Sequence, residues 1–276
     1  MAYNSTLYVV ATPIGNLEEM TPRAIRILNE VEIIACEDTR ETLKLCRHFG
    51  ISKPLISCHE HNEYYAVNKI IEYLQEGKDI AIVSDAGYPG ISDPGERVVA
   101  KCIEKGFNVV VISGPCAFIN ALVGSGLDTS HFLFYGFLPS KKGERTKELA
   151  KLSKNENTLI FYEAPHRILE TLQDMKEELH NRRICIAREL TKKFEEYLRG
   201  TIEEVIERIT MNPIKGEIVI IVEGTKKEEV ETLTDLEIID KVNNLIEKGM
   251  TASEAIKHVS LTFKVKKNDV YRLFHQ

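Results

Sequence analysis

Short apolar runs alternate with amphipathic stretches along most of the chain. Leu7–Ala11, Glu32–Cys36, Ile80–Val83 and Val109–Ile112 are compact runs rich in branched residues, which predict buried strands. Between them, Pro22–Glu30, EDTR through Phe49, Asn62–Glu76 and Pro94–Lys105 carry apolar residues at helical spacing. Ala66, Ile70, Ile71 and Leu74 show that period most clearly. Strand and helix in alternation is a βαβ pattern and predicts a largely parallel sheet in this block. A second block begins near Ala117. Its predicted strands are Phe132–Tyr135, Thr158–Tyr162, Ile184–Ala187 and Ile218–Val222, with Glu195–Gly200 as a further one. Its predicted helices are Glu144–Leu152, Arg167–Leu179 and Ile202–Met211.

The charged, non-periodic stretch around 225–234 reads as a linker to a helical tail. Leu236–Glu247 is amphipathic and Gly249 ends it. Thr251 with Glu254 forms a capping-box pattern for a second helix, and Asn268–His275 predicts a third. Three short helices of this kind resemble a helix-turn-helix unit. The expected organisation is an α/β domain over 1–116, a second α/β domain over 117–224, a linker over 225–234 and a helical tail over 235–276.

Composition sharpens this picture in three places. Net charge is −6, so any nucleic-acid contact must come from a local patch. Such a patch exists: from Lys248 to Gln276 there are six Lys or Arg (248, 257, 264, 266, 267, 272) against two acids (254, 269). The competing reading is a solvated helical cap or dimer element. The cysteines at 36, 46, 58, 102, 116 and 185 form no CxxC pair and sit in or beside apolar segments. The start, MAYNSTLYVV, runs straight into a strand without a basic region or cleavage signature. A reduced cytoplasmic protein is expected, with no membrane span.

Candidate chemistry lies where strands end. Ser84–Gly95, SDAGYPGISDPG, follows the Ile80–Val83 run and packs two aspartates, three glycines and two prolines into one loop. Glycine lets backbone approach a ligand, proline stiffens the loop, and carboxylates accept from ribose hydroxyls or amines. A small polar ligand at the carboxyl end of a strand suits this composition; a tight strand-to-helix turn is the bland alternative. The first loop has one glycine, not GxGxxG, and GxxxxGK[ST] is absent, so a dinucleotide or triphosphate site is unsupported. Six loops in all, ATPIGN, VSDAGYPG, VISGPCA, FYEAPHR, ARELTK and KGEIVIIVEG, end strands and can converge on one cleft.

Taken in order, ATPIGNLEEMTPRA, CEDTR, HEHNE, SDAGYPGISDPG, GPCA, FYEAPHR, ARELTK and KGEIVIIVEG resemble the 16S rRNA (cytidine-2′-O)-methyltransferase family of the tetrapyrrole-methylase superfamily. VKKNDVYRLF resembles that family's carboxyl-terminal helical extension. Tyr88 and Gly90 depart from the family's common threonine and leucine. The resemblance implies two α/β domains with S-adenosylmethionine in the cleft between them, and a homodimer acting on 16S rRNA in the small ribosomal subunit, at cytidine 1402. It places cofactor contacts at Pro13, Asp85, Gly87, Tyr88, Gly114, Cys116, Ala117, Tyr162, Leu190 and Ile218. Cys116 is a packing residue in this reading, since methyl transfer to oxygen needs no covalent enzyme intermediate.

A base for the ribose hydroxyl is to be sought among Glu163, His166, Glu189 and Lys192. Each has an alternative use in an ion pair closing the cleft, Arg167–Glu163 or Arg188–Glu189. Arg40, His59, His61 and Arg167 are candidate RNA contacts, together with Lys264, Lys266 and Lys267 in the tail. In an extended strand His59 and His61 would point to opposite sides, so no metal site is expected. Two other functions compete: a tetrapyrrole C-methylase acting on a small molecule, and a DNA-binding regulator that senses S-adenosylmethionine. The basic tail disfavours the first, and the length of the motif-bearing block disfavours the second.

Overall fold

The computed structural model describes residues 5–59, 61–225, 233–263 and 265–275. The chain divides into two compact units, residues 1–225 and 226–276.

The first unit opens with β1 (Thr6–Val10), α1 (Pro22–Glu30), β2 (Ile33–Cys36), α2 (Thr39–His48), β3 (Leu55–Ser57), α3 (Glu63–Gln75), β4 (Ile80–Val83), α4 (Glu96–Glu104) and β5 (Asn108–Ile112). The strands form one all-parallel sheet in the order β3-β2-β4-β1-β5. Side chains alternate faces along a strand, so each strand feeds two cores. Leu7, Val9, Ile33, Ala35, Ile80 and Ile82 pack under α3 and α4. Their neighbours Val10, Ile34, Cys36, Ala81 and Val83 pack under α1 and α2. That double burial is why these strands read as unbroken apolar runs. α1 begins where Thr21 Oγ accepts the Ala24 amide and Pro22 takes the first turn. α4 starts two residues later than the proline suggests, because Gly90 N–H bonds Pro94 O and holds those residues in the loop.

The chain continues through α5 (Ala117–Ser125), β6 (Phe132–Phe137), α6 (Lys142–Leu152), β7 (Thr158–Glu163), α7 (Ile168–Leu179), β8 (Arg183–Arg188), β9 (Glu196–Thr201), α8 (Ile202–Met211) and β10 (Ile218–Val222). This sheet runs β6-β7-β10-β8-β9 and is mixed: only β6 and β7 are parallel. β10 enters antiparallel between β7 and β8. One face packs under α6, α7 and α8 through Leu159, Phe161, Ile184, Ile186 and Ile220. The other carries Ile160, Cys185, Ala187, Val219 and Ile221 against Ala121 and Leu122 of α5, and Ile14 from the loop after β1 joins this core. Arg145 of α6 is buried against Asp174 of α7, Nε to Oδ2 at 2.6 Å.

The second unit holds α9 (Asp235–Glu247), α10 (Ala252–Thr262) and α11 (Lys267–Phe274) around Ile238, Val242, Ala255, Ile256, Val259 and Val270. Capping boxes start α9 at Thr234 with Glu237 and α10 at Thr251 with Glu254. Among the described residues, no helix is long and apolar enough to cross a membrane, and all six cysteines are free thiols.

Candidate active site

The loops after β1 and β4 are zipped together at the carboxyl edge of the parallel sheet. Thr12 and Gly87 exchange backbone hydrogen bonds at 2.9 and 3.0 Å, and Thr12 Oγ1 donates to Ser84 O. Gly87 has φ +74°, a region that side-chain-bearing residues rarely adopt. Tyr88 Oη accepts the Gly114 amide at 3.0 Å and so ties the β4 loop to the loop after β5. Beside these loops lies a cavity of about 360 Å³, lined among others by Ile14, Tyr88, Asp93, Cys116, Phe137, Tyr162, Leu190 and Ile218. Its walls come from the loops after β1, β4 and β5 and from β6, β7 and β10 of the mixed sheet. A second cavity of about 330 Å³ adjoins it, sharing Ile14, Ala86 and Glu217, with a more polar wall that includes Thr12, Thr42, Lys44, Asp85 and Lys192. The first volume falls in the range of small-molecule sites, roughly 300–1,000 Å³.

Three carboxylates line the first cavity, and their environments differ. Glu163 is buried and fully engaged: Arg167 Nε and the Ala164 amide donate to Oε1, and Thr171 Oγ1 donates to Oε2. Glu217 pairs with Lys192 at 2.9 Å. Asp93 has no hydrogen-bond or ion-pair partner among the described residues. Burial, and after it the Glu37 and Asp85 carboxylates, push its carboxyl up to about 6.

Lys192 is bracketed. Its Nζ donates to Glu189 Oε1 and Glu217 Oε2, both at 2.9 Å. Partial burial opposes its charge, but the two carboxylates outweigh it and hold the ammonium above its ordinary range. The Glu217 amide, then Lys192, hold Glu189 below the usual carboxylate range. Glu189 and Thr191 both have left-handed φ, 49° and 67°, which marks a strained turn. The Lys192 stem lies across Gly15, where an added Cβ would come within 2.6 Å of Cγ. The loop after β1 can close on this turn only because residue 15 is glycine.

The residues singled out from sequence fall into distinct places. Gly87, Tyr88, Cys116, Ala117, Tyr162, Leu190 and Ile218 line the first cavity, while Pro13 and Asp85 line the second. Gly114 lines neither and contributes its amide to Tyr88. Asp85 Oδ1 accepts the Asp38 amide at 3.2 Å. His166 is exposed and touches neither cavity. Of the two expected ion pairs, Arg167–Glu163 is present. The other differs: Arg188 pairs with Glu196 across the β8–β9 ladder, and Glu189 pairs with Lys192. Arg167 also donates to Leu138 O at 2.9 Å, so its guanidinium faces inward, and Arg40 is committed to Asp38. His59 and His61 do not sit on a strand; their rings stand 6.0 Å apart at a turn before α3. No group of metal ligands occurs among the described residues. Lys266 and Lys267 are exposed at the start of α11, and Lys264 lies outside the described residues. Asp93 was read from sequence only as one of the loop's two aspartates, with the cofactor contact assigned to Asp85, and Glu217 was not singled out.

A ligand cleft walled by the loops of a parallel sheet and the strands of a mixed one, without a phosphate-binding glycine motif, defines a class of α/β small-ligand enzyme distinct from dinucleotide and triphosphate binders. A family model described as Tetrapyrrole (Corrin/Porphyrin) Methylases matches residues 6–206. Curated relatives named ribosomal RNA small subunit methyltransferase I include that of Bacillus subtilis (strain 168), 50% identical over 276 residues and spanning 98% of this chain and 94% of the relative. That of Synechocystis sp. (strain ATCC 27184 / PCC 6803 / Kazusa) is 44% identical over 97% and 96%. The chain belongs to the tetrapyrrole methylase family, in its ribosomal RNA small subunit methyltransferase I branch. Solved structures share the fold at low identity. A uroporphyrin-III C-methyltransferase from Thermus thermophilus, complexed with S-adenosyl homocysteine, matches with TM-score 0.57 at 16% identity, over 80% of this chain and 97% of that one. A diphthine synthase matches with TM-score 0.62 at 10% identity, over 81% and 92%.

Proposed function

We propose that this chain is an S-adenosylmethionine-dependent methyltransferase that methylates the 2′-hydroxyl of a cytidine in 16S rRNA, cytidine 1402 by family resemblance. The observation that carries this reading is similarity over 98% of the chain, helical tail included, to relatives named for ribosomal RNA. The fold neighbours that act on tetrapyrroles cover only about four-fifths of it. The 1–116 and 117–224 segments form the catalytic body in this reading, and 235–276 is the RNA-contacting tail. The active form is a cytoplasmic homodimer working on the small subunit.

The first cavity fits the cofactor by size and by chemistry. Tyr88, Phe137, Leu190 and Ile218 supply apolar walls for a nucleoside, Asp93 supplies an unpaired carboxylate, and no phosphate cradle is needed. When bound, S-adenosylmethionine supplies an electrophilic methyl group on a positively charged sulfur. Lys192, kept charged by Glu189 and Glu217, is the wrong protonation state for a base and the right one to hold a phosphate or hydroxyl oxygen. Glu163, with both oxygens occupied, braces the wall. Placing the hydroxyl at the boundary between the two cavities supplies the larger part of the rate, as positioning can be worth roughly 7–11 kcal/mol.

A methyl-transfer assay with labelled cofactor tests this. Label is expected in the small subunit or its 16S rRNA, at a cytidine ribose. Incorporation into uroporphyrinogen with none into RNA would overturn the reading.

A further inference from the structure

The wall of the first cavity carries an electrostatic asymmetry that shape alone does not require. Of its three carboxylates, Glu163 is paired with Arg167, and Glu217 pairs with Lys192, an ammonium it shares with Glu189. Asp93 faces the cavity with no cation beside it among the described residues. Two more carboxylates, Glu37 and Asp85, stand close enough to raise its proton affinity, and Tyr162 on the cavity wall feels its charge. Of the arginines on neighbouring segments, Arg40 pairs with Asp38 and Arg97 with Glu63. The loop that holds Asp93 is closed on itself, with Ile91 N–H on Tyr88 O, Gly90 N–H on Pro94 O and Ser92 at φ +62°. The carboxylate is therefore held on the wall without a partner, at an electrostatic cost that a bound cation would relieve.

We infer that Asp93 recognises the positive charge of the cavity's ligand, so that the enzyme binds the sulfonium cofactor in preference to the neutral thioether left after transfer. This rests on the cofactor reading proposed above. In the transfer the substrate oxygen bonds the methyl carbon, the electron pair of the broken carbon–sulfur bond stays on sulfur, and the hydroxyl proton leaves to solvent. The ligand thereby loses one positive charge while keeping its adenosine and amino-acid portions. An uncompensated carboxylate beside it favours the charged form and loosens the product, because only the charged ligand relieves the burial of Asp93.

Calorimetry with S-adenosylmethionine and S-adenosylhomocysteine on the wild-type chain, Asp93→Asn and Asp93→Glu tests the idea. Asp93→Asn is expected to weaken S-adenosylmethionine by about tenfold or more and S-adenosylhomocysteine by less than about threefold, and Asp93→Glu to restore most of the difference. Glu37→Gln, which leaves Asp93 in place, should shift the same ratio by a smaller factor. Equal weakening of both ligands would assign Asp93 to a shared portion and overturn the inference. So would unchanged binding with loss of turnover, which would make Asp93 a proton acceptor. A wild-type chain that binds neither ligand would overturn the cofactor reading itself.

Discussion

At the residue scale, two carboxylates on one wall behave oppositely. Asp93 is held near 6 by burial and by Glu37 and Asp85, against an ordinary value of 3.8. A raised acid binds its proton more tightly when folded, so its contribution to stability is greatest below the unfolded value. It falls as pH rises from about 3.8 to about 6, and the penalty stays in place above that. Asp93→Asn removes the charge and should raise Tm at pH 7.5, by the equivalent of under about 2 kcal/mol after solvent screening, with little change near pH 4. Thermal melts at the two pH values check this. Glu163 on the same wall is paired instead. Its charge is buried but fully bonded, so Arg167→Ala strands it. A destabilisation of about 3 kcal/mol is expected by chemical denaturation, with weaker cofactor binding because Glu163 is part of the wall. Unchanged stability would mean the Glu163–Arg167 pair is not a brace.

At the element scale, the mixed sheet depends on α6 and α7 meeting through Arg145 and Asp174, both almost wholly buried. Neither charge has access to water, and their mutual contact at 2.6 Å is shorter than the further ones, Lys142 to Asp174 at 3.4 Å and Arg145 to Glu170 at 3.8 Å. Arg145→Ala should cost about 3–5 kcal/mol, while the paired change Arg145→Met with Asp174→Leu should recover most of it. Denaturant midpoints of the single and double variants measure this, and an equal drop in both would refute the pairing argument. The loop after β1 acts as an element in its own right. It gives Thr12 to the β4 loop, Ile14 to the core under α5, and Gly15 to the Lys192 stem. A single loop thus sets the relation of the two sheets at the cleft.

At the scale of the whole molecule, the second unit has its own core and its own capped helices. Removing it by truncation after Thr225 should leave a folded first unit that binds S-adenosylmethionine with unchanged affinity. Affinity for the small subunit or its RNA should fall. Its salt dependence should become shallower, by roughly 0.7–0.9 in slope for each phosphate that the tail no longer neutralises. Filter binding across a salt series measures both. An unchanged KM and salt response would make the tail a stability or dimer element.

Much of this architecture was legible because its causes are local. Thr21 and Pro22 start α1 by capping rules that act within one turn, and β4 shows as Ile80–Val83 because both its faces are buried. The ordered loop motifs pointed to the family for the same reason: each is a short stretch read directly along the chain. α5 was not legible as a helix, since AFINALVGS is apolar nearly all round and lacks a side-chain cap. β3, three residues at a sheet edge, offers no period to read. That β10 runs antiparallel between β7 and β8 is likewise invisible, because strand pairing is settled by contacts between distant segments. The site follows the same division. The sequence determined which residues carry charge near the cleft. Only the tertiary structure decided that Glu163 and Lys192 are ion-paired and Asp93 is not, because a charged group's partners are set through space.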